Sequence, residues 1–129
     1  MTQQANYDAL FSGVIGQDYE MLKLICPLMT EMSRLVGEAV RHYPASQDKL
    51  NIVELGGGTG ITTLALLSTR ENSHIASIDN EPTMQNQAKQ NLKAWHEKGL
   101  VTFYNQDALS ALQAMPTASV DIVASAYIT

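Results

Sequence analysis

Val53-Glu54-Leu55-Gly56-Gly57-Gly58-Thr59-Gly60 is the stretch on which the reading of this chain turns. An apolar run, Leu50–Leu55, leads into it and reads as a buried strand; Thr59–Ser68, which follows, reads as a helix. The turn between them is rich in the residue that tolerates positive φ and lets a ligand approach the backbone. The amides of Gly58, Thr59 and Gly60 would open the helix, where backbone donors and dipole together favour an anionic group. Two familiar ligand loops fail on spacing. A phosphate-binding P-loop requires G-x-x-x-x-G-K-[ST], and no Lys occurs between Lys49 and Lys89. A dinucleotide fingerprint counted from Gly56 requires a small residue where this chain has Ile61, so an NAD-binding Rossmann protein is the weaker reading. What remains is E-x-G-x-G-x-G, with Gly56, Gly58 and Gly60 in alternate register after Glu54.

Beyond the loop, short apolar runs alternate with helical segments. His74–Ile78, Leu100–Asn105 and Val120–Ala126 read as strands, and Pro82–Glu97 and Ala108–Met115 as helices. Pro82 sits where a helix start tolerates proline, and Met84, Ala88, Leu92 and Trp95 share one predicted face. Nearly continuous apolar strands alternating with helices imply an α/β fold with a parallel sheet covered on both faces. Upstream, the polar stretch Pro44–Lys49 separates an N-terminal helical part, 1–44, from this core, 45–129. From Asp18 to Tyr43, Met21, Leu22, Ile25, Leu28, Met29, Met32, Val36, Ala39 and Val40 recur at three- and four-residue steps, which predicts one amphipathic helix. Pro27 should kink or split it.

Two acids fall at successive strand ends. Asp79 follows Gly60 by 19 residues, and an acid about 20 residues past such a loop accepts from ribose hydroxyls in dinucleotide folds. Asp107 follows the next strand and can accept from an exocyclic amine of a base. Each candidate also has a plainer role: the glycines can form a tight turn, Asp79 and Asp107 can cap the helices that follow them, and Glu54 can pair with a cation. Tyr127, at the carboxyl end of the last predicted strand, is an aromatic candidate for lining the same pocket.

Composition narrows the function classes. The 129 residues are 45% apolar, enough for one core, and the net charge of −5 offers no basic block for a phosphate backbone, so no nucleic-acid partner is expected. Cys26 is the lone cysteine and sits on an apolar helical face, where an inert buried thiol is the default. His42, His74 and His96 lack metal-ligand spacing, so no metal is expected. With no leader pattern and no run of membrane-spanning length, the expectation is a cytoplasmic protein with no membrane partner.

These residues resemble those of the class I S-adenosylmethionine-dependent methyltransferases. Residues 53–60 look like that family's first motif, Ser77-Ile78-Asp79 its second, Gln106-Asp107-Ala108 its third and Val120-Asp121-Ile122-Val123 the start of its fourth. The stretch Tyr7–Val40 more loosely resembles the N-terminal helical cap of its small-molecule enzymes. The resemblance implies a Rossmann-like parallel sheet of order 3-2-1-4 with flanking helices, S-adenosyl-L-methionine as cofactor and a small-molecule methyl acceptor. By the same resemblance Gly56, Gly58, Thr59 and Gly60 make room for the methionine part and Glu54 orients its amino end. Asp79 would hold the ribose, Asp107 and Ala108 would border the adenine, and Tyr19 and Tyr127 would close on the pocket. No catalytic base is identifiable. The family pattern continues past its fourth motif, so C-terminal strands are expected to be missing, leaving Val120–Ile128 as a long apolar edge that pairs two copies into a homodimer. A cofactor-binding or structural fragment without activity is the alternative.

Overall fold

The computed structural model describes residues 27–44, 49–70 and 72–126. Its elements run α1 (Pro27–Arg41), β1 (Asn51–Leu55), α2 (Ile61–Thr69), β2 (His74–Ile78), α3 (Pro82–Asn91), α4 (Lys93–Glu97), β3 (Val101–Tyr104), α5 (Ala108–Ala114) and β4 (Ile122–Ala124). The four strands form one parallel sheet in the order β3-β2-β1-β4, as the resemblance implies. The alternation of side chains across a strand sorts the sheet into two faces. Ile52, Ile75, Val101 and Ala124 join Leu66, Leu67 and Leu92 on one; Val53, Ala76 and Ile78 join Ala111 of α5 on the other. Full burial of a side chain such as Leu66 or Ile75 is worth about 1.5–3 kcal/mol.

Helix α2 is apolar nearly all round, the mark of a helix buried on two sides. It lies between the sheet and α1. The contact with α1 uses small and polar residues: Ser33 and Thr62 hydroxyls hydrogen-bond at 2.8 Å in the buried interface, and a Cβ on Gly37 would stand 3.0 Å from the Ala65 carbonyl oxygen. This corrects part of the predicted apolar face of α1, of which Val36 and Val40 do pack against the core. Thr30, Ser33, Gly37 and Val40 face inward, whereas Leu28 and Met32 are exposed, because close approach to α2 selects small side chains over large ones. Pro27 is the first described residue of α1, so the kink or split predicted there falls at the boundary with residues 1–26, which lie outside the described residues.

Three other boundaries differ from the sequence reading. The helix predicted over 82–97 breaks at Leu92, whose backbone leaves the helical region (φ −108°, ψ 23°) where its side chain becomes fully buried. Helix α2 begins at Ile61, after Gly60, and not at Thr59. The last strand is three residues long, so the predicted long apolar edge is not formed: Ser125 and Ala126 have left the ladder, while 127–129 lie outside the described residues. Residues 1–26, with Tyr7–Phe11, Tyr19 and Cys26, also lie outside them.

Arg70, just past α2, fastens α1 to the core. Its Nε donates to the Val40 carbonyl at 3.1 Å, and its Nη2 donates to those of Arg41, at 3.4 Å, and Tyr43. A guanidinium fork is suited to the unsatisfied carbonyls of a helix C-terminus. Arg70→Ala should lower unfolding free energy by about 1–2 kcal/mol in urea titrations, and Arg70→Lys should not restore it; a loss of only a few tenths would contradict this role.

Candidate functional site

At the carboxyl end of β1 the chain turns through the glycine loop, and the backbone explains the alternate glycines. Gly56, Gly58 and Gly60 all have positive φ, 72°, 56° and 100°. Gly57 does not, yet it is the tightest position: a Cβ there would lie 2.1 Å from Ser77 Oγ and 3.1 Å from Glu54 Oε1. Sequence reading passed over Gly57 because its glycine is required by packing, not by dihedral angle.

The loop is fixed to the end of β2. Gly56 N donates to the Ile78 carbonyl at 2.8 Å, Gly58 N to Asp79 Oδ2 at 2.7 Å, and Gly60 N to the Gly57 carbonyl at 3.1 Å. The Gly58 and Gly60 amides are therefore engaged, where the sequence suggested free donors. Asp79 accepts a second backbone bond, from Glu81 N to Oδ1 at 2.8 Å. It does not cap the next helix; Glu81 does, accepting from Thr83 N. Each Asp79 oxygen keeps a lone pair beyond the bond it accepts. Amide side chains brace the same edge: Asn91 donates to the Thr59 carbonyl, Asn105 to that of Asp79, and Gln85 to that of Tyr104.

Glu54 is 1% exposed. It lies on the same sheet face as Ile52, turned toward α2. Its Oε1 accepts from Thr63 Oγ1 and, at 3.2 Å, from Ser77 Oγ; its Oε2, equally buried, has no hydrogen-bond partner among the described residues. Its bonded partners are hydroxyls, not the cation that sequence left open. Burial pushes its carboxyl up to about 7 against the pull of the two hydroxyls, with the Asp79 charge adding to the rise. Thr63 escaped notice in the sequence, although a Thr-Thr pair inside the aliphatic run of α2 is the signal that could have marked it.

Asp107 takes its plainer role. Its carboxylate caps α5, accepting from Ser110 N at 2.9 Å and Ser110 Oγ at 2.7 Å, and these bonds hold it below the usual carboxylate range. Ala108 begins that helix, half-buried at the same edge. Tyr19 and Tyr127 lie outside the described residues. The histidines take structural roles: His74 Nε2 bonds Thr102 Oγ1 at 2.8 Å, His96 packs edge-on against Phe103, and His42 lies 3.5 Å from Glu38. No cluster of His, Cys, Asp or Glu suited to a metal occurs among the described residues, and none of their helices is long and apolar enough to cross a membrane.

The model of a methyltransferase domain family matches residues 52–128, from β1 through β4. The chain belongs to that methyltransferase domain family. The cofactor that goes with it is S-adenosyl-L-methionine. The comparison with curated proteins gave no match. Among solved structures, a putative caffeoyl-CoA O-methyltransferase from Staphylococcus aureus is similar at 21% identity and a TM-score of 0.62, over 83% of this chain and 52% of that one. The O-methyltransferase TomG from Streptomyces achromogenes, involved in tomaymycin synthesis and solved in complex with SAM, is similar at 22% and 0.62, over 75% and 44%. A probable spermidine synthase from Corynebacterium glutamicum is similar at 19% and 0.58, over 74% and 35%. The domain thus spans about half or less of each of these chains, and at such identities the likeness is one of fold.

The Glu54 environment sets a pH dependence. An unfolded chain loses this proton near 4.5 and the folded one near 7, so its contribution to stability is full below about pH 4.5 and is lost as pH rises through 7. Glu54→Gln should therefore be more stable than wild type at pH 8, by roughly 3 kcal/mol at most, with the difference shrinking toward pH 5. Parallel urea curves for the two proteins across that range would contradict the assignment.

Proposed function

We propose that this domain binds S-adenosyl-L-methionine across the carboxyl ends of β1, β2 and β3 and serves methyl transfer to a small molecule. One observation carries the reading: the buried Glu54 carboxyl stands against the glycine loop, its Oε1 3.1 Å from where a Gly57 Cβ would lie, and its Oε2 has no partner among the described residues. When ionised, a carboxylate with one unpaired buried oxygen is completed by a cationic donor, and the ammonium at the amino end of the cofactor is such a group. Gly56, Gly58, Thr59 and Gly60 would leave space for the methionine part. Asp79, with spare lone pairs, would take the ribose hydroxyls, while Asp107 and Ala108 border the adenine. Tyr19 and Tyr127 would line the pocket, with residues 1–44 as its cap.

When bound, the cofactor supplies an electrophilic sulfonium methyl. The protein's own share is then orientation and exclusion of water, which requires no covalent intermediate on the chain. The loop anchored on Asp79 and the strand ends braced by Asn105 and Gln85 provide a preformed edge for that alignment. The acidic composition favours a small acceptor over a nucleic acid, and a cytoplasmic location goes with this reading.

A second reading, cofactor binding with little turnover, is favoured by the outer edge. Val123 on β4 is 55% exposed, and no strand lies beyond it among the described residues. Pairing of two copies through this edge would cover it. Light scattering at micromolar concentration should show a dimer that Val123→Lys disperses; a monomeric wild type would contradict the pairing.

Asp79→Ala removes both a ribose contact and the anchor of Gly58. Calorimetry with S-adenosylhomocysteine should show affinity lowered by more than about tenfold, corresponding to roughly 1.5–3 kcal/mol for a charge-assisted bond, and NAD should not compete. Equal affinity of Asp79→Ala and wild type would overturn the ribose assignment.

A further inference from the structure

We propose that Thr63 and Ser77 are positioning residues that tether Glu54 by one carboxyl oxygen and reserve the other for the amino end of the cofactor, whose arrival releases a proton from the protein. The inference rests on the cofactor reading above and adds to it two residues and a proton. Both hydroxyls converge on Oε1, one from α2 and one from β2, and neither reaches Oε2. Ser77 stands directly behind the glycine loop, since its Oγ already fills the space a Gly57 Cβ would need. The tether thus comes from two elements of the rigid scaffold, not from the loop that meets the ligand.

A carboxylate buried with one bare oxygen is costly, and the chain relieves the cost by keeping a proton. Because Oε1 already accepts two bonds, that proton sits on Oε2. The groups around it make no competing claim. From β2 come Ser77 and, farther along, the charged Asp79; the strand partner on β4 is Ala124; from α2 comes Thr63. Asp79 is the charge that bears on Glu54 here, and its sign favours keeping the proton. An ammonium donor replaces it: the O–H bond at Oε2 breaks, the proton passes to solvent, and an N–H···O⁻ bond forms. A neutral adenosine without the amino acid end has nothing to exchange.

Two ligands separate these ideas. S-adenosylhomocysteine carries the amino end and 5′-methylthioadenosine lacks it. Calorimetry in buffers of different ionisation enthalpy should show nearly one proton released per S-adenosylhomocysteine at about pH 6 and close to none at about pH 8.5, with none for methylthioadenosine at either. Thr63→Val should weaken S-adenosylhomocysteine by about tenfold and leave methylthioadenosine within about twofold, and Thr63→Ser should restore the loss. Ser77→Ala should act in the same direction to a smaller extent, and it serves if Thr63→Val does not fold. Equal weakening of both ligands, or binding of S-adenosylhomocysteine without proton release at about pH 6, would overturn the positioning role and leave the cofactor reading intact. A wild-type protein that binds neither ligand would overturn both.

Discussion

The rest of the site depends on a carboxyl group held inside the protein beside a turn that has no room for a side chain. Glu54, one residue before the end of its strand, faces α2, and its burial raises the cost of charge so far that its proton is retained close to neutrality. Two hydroxyls offset part of that cost from one side only. The glycine at 57 follows from the same packing, because Ser77 stands where its Cβ would be. Conformation makes the neighbouring glycines necessary, through positive φ at 56, 58 and 60. Strand, turn and helix are thus joined by one buried polar cluster.

The sequence made the sheet legible because parallel strands covered on both faces are written as short, largely apolar runs without strict alternation. Residues 50–55, 74–78 and 100–105 stand out for that reason, and the order 3-2-1-4 came with the resemblance. Asp79 was legible by its distance from the loop, although its two backbone bonds were not, since they depend on where the loop folds back. At Asp107 the strand-end acid also caps a helix through the amide and hydroxyl of Ser110, three residues on, a contact that spacing alone does not report. Thr63 and Gly57 were hidden for a different reason. Their importance comes from contacts across elements, which no local pattern reports.

Helix α1 misled the periodicity argument in an instructive way. Its apolar residues recur at helical spacing, but α2 accepts it through Ser33 and Gly37, and Leu28 and Met32 turn outward. Close helix approach at small residues outweighs burial of long side chains when the partner helix itself lies flat on a sheet. Arg70 then ties the end of α1 to the core through backbone carbonyls, a link that charge patterning could not reveal because its acceptors are uncharged. At the other edge, β4 leaves the sheet after three residues, so the apolar composition of its sequence overstated its length.

The protonation state of Glu54 can be observed directly. Carbon-13 NMR of its side-chain carboxyl, assigned by comparison with Glu54→Gln, follows the group across pH in the free protein and with S-adenosylhomocysteine bound. A midpoint near 7 in the free protein and an ionised carboxylate at the same pH values in the complex are the predicted results. A carboxyl that titrates as an ordinary exposed glutamate in both states would contradict the account.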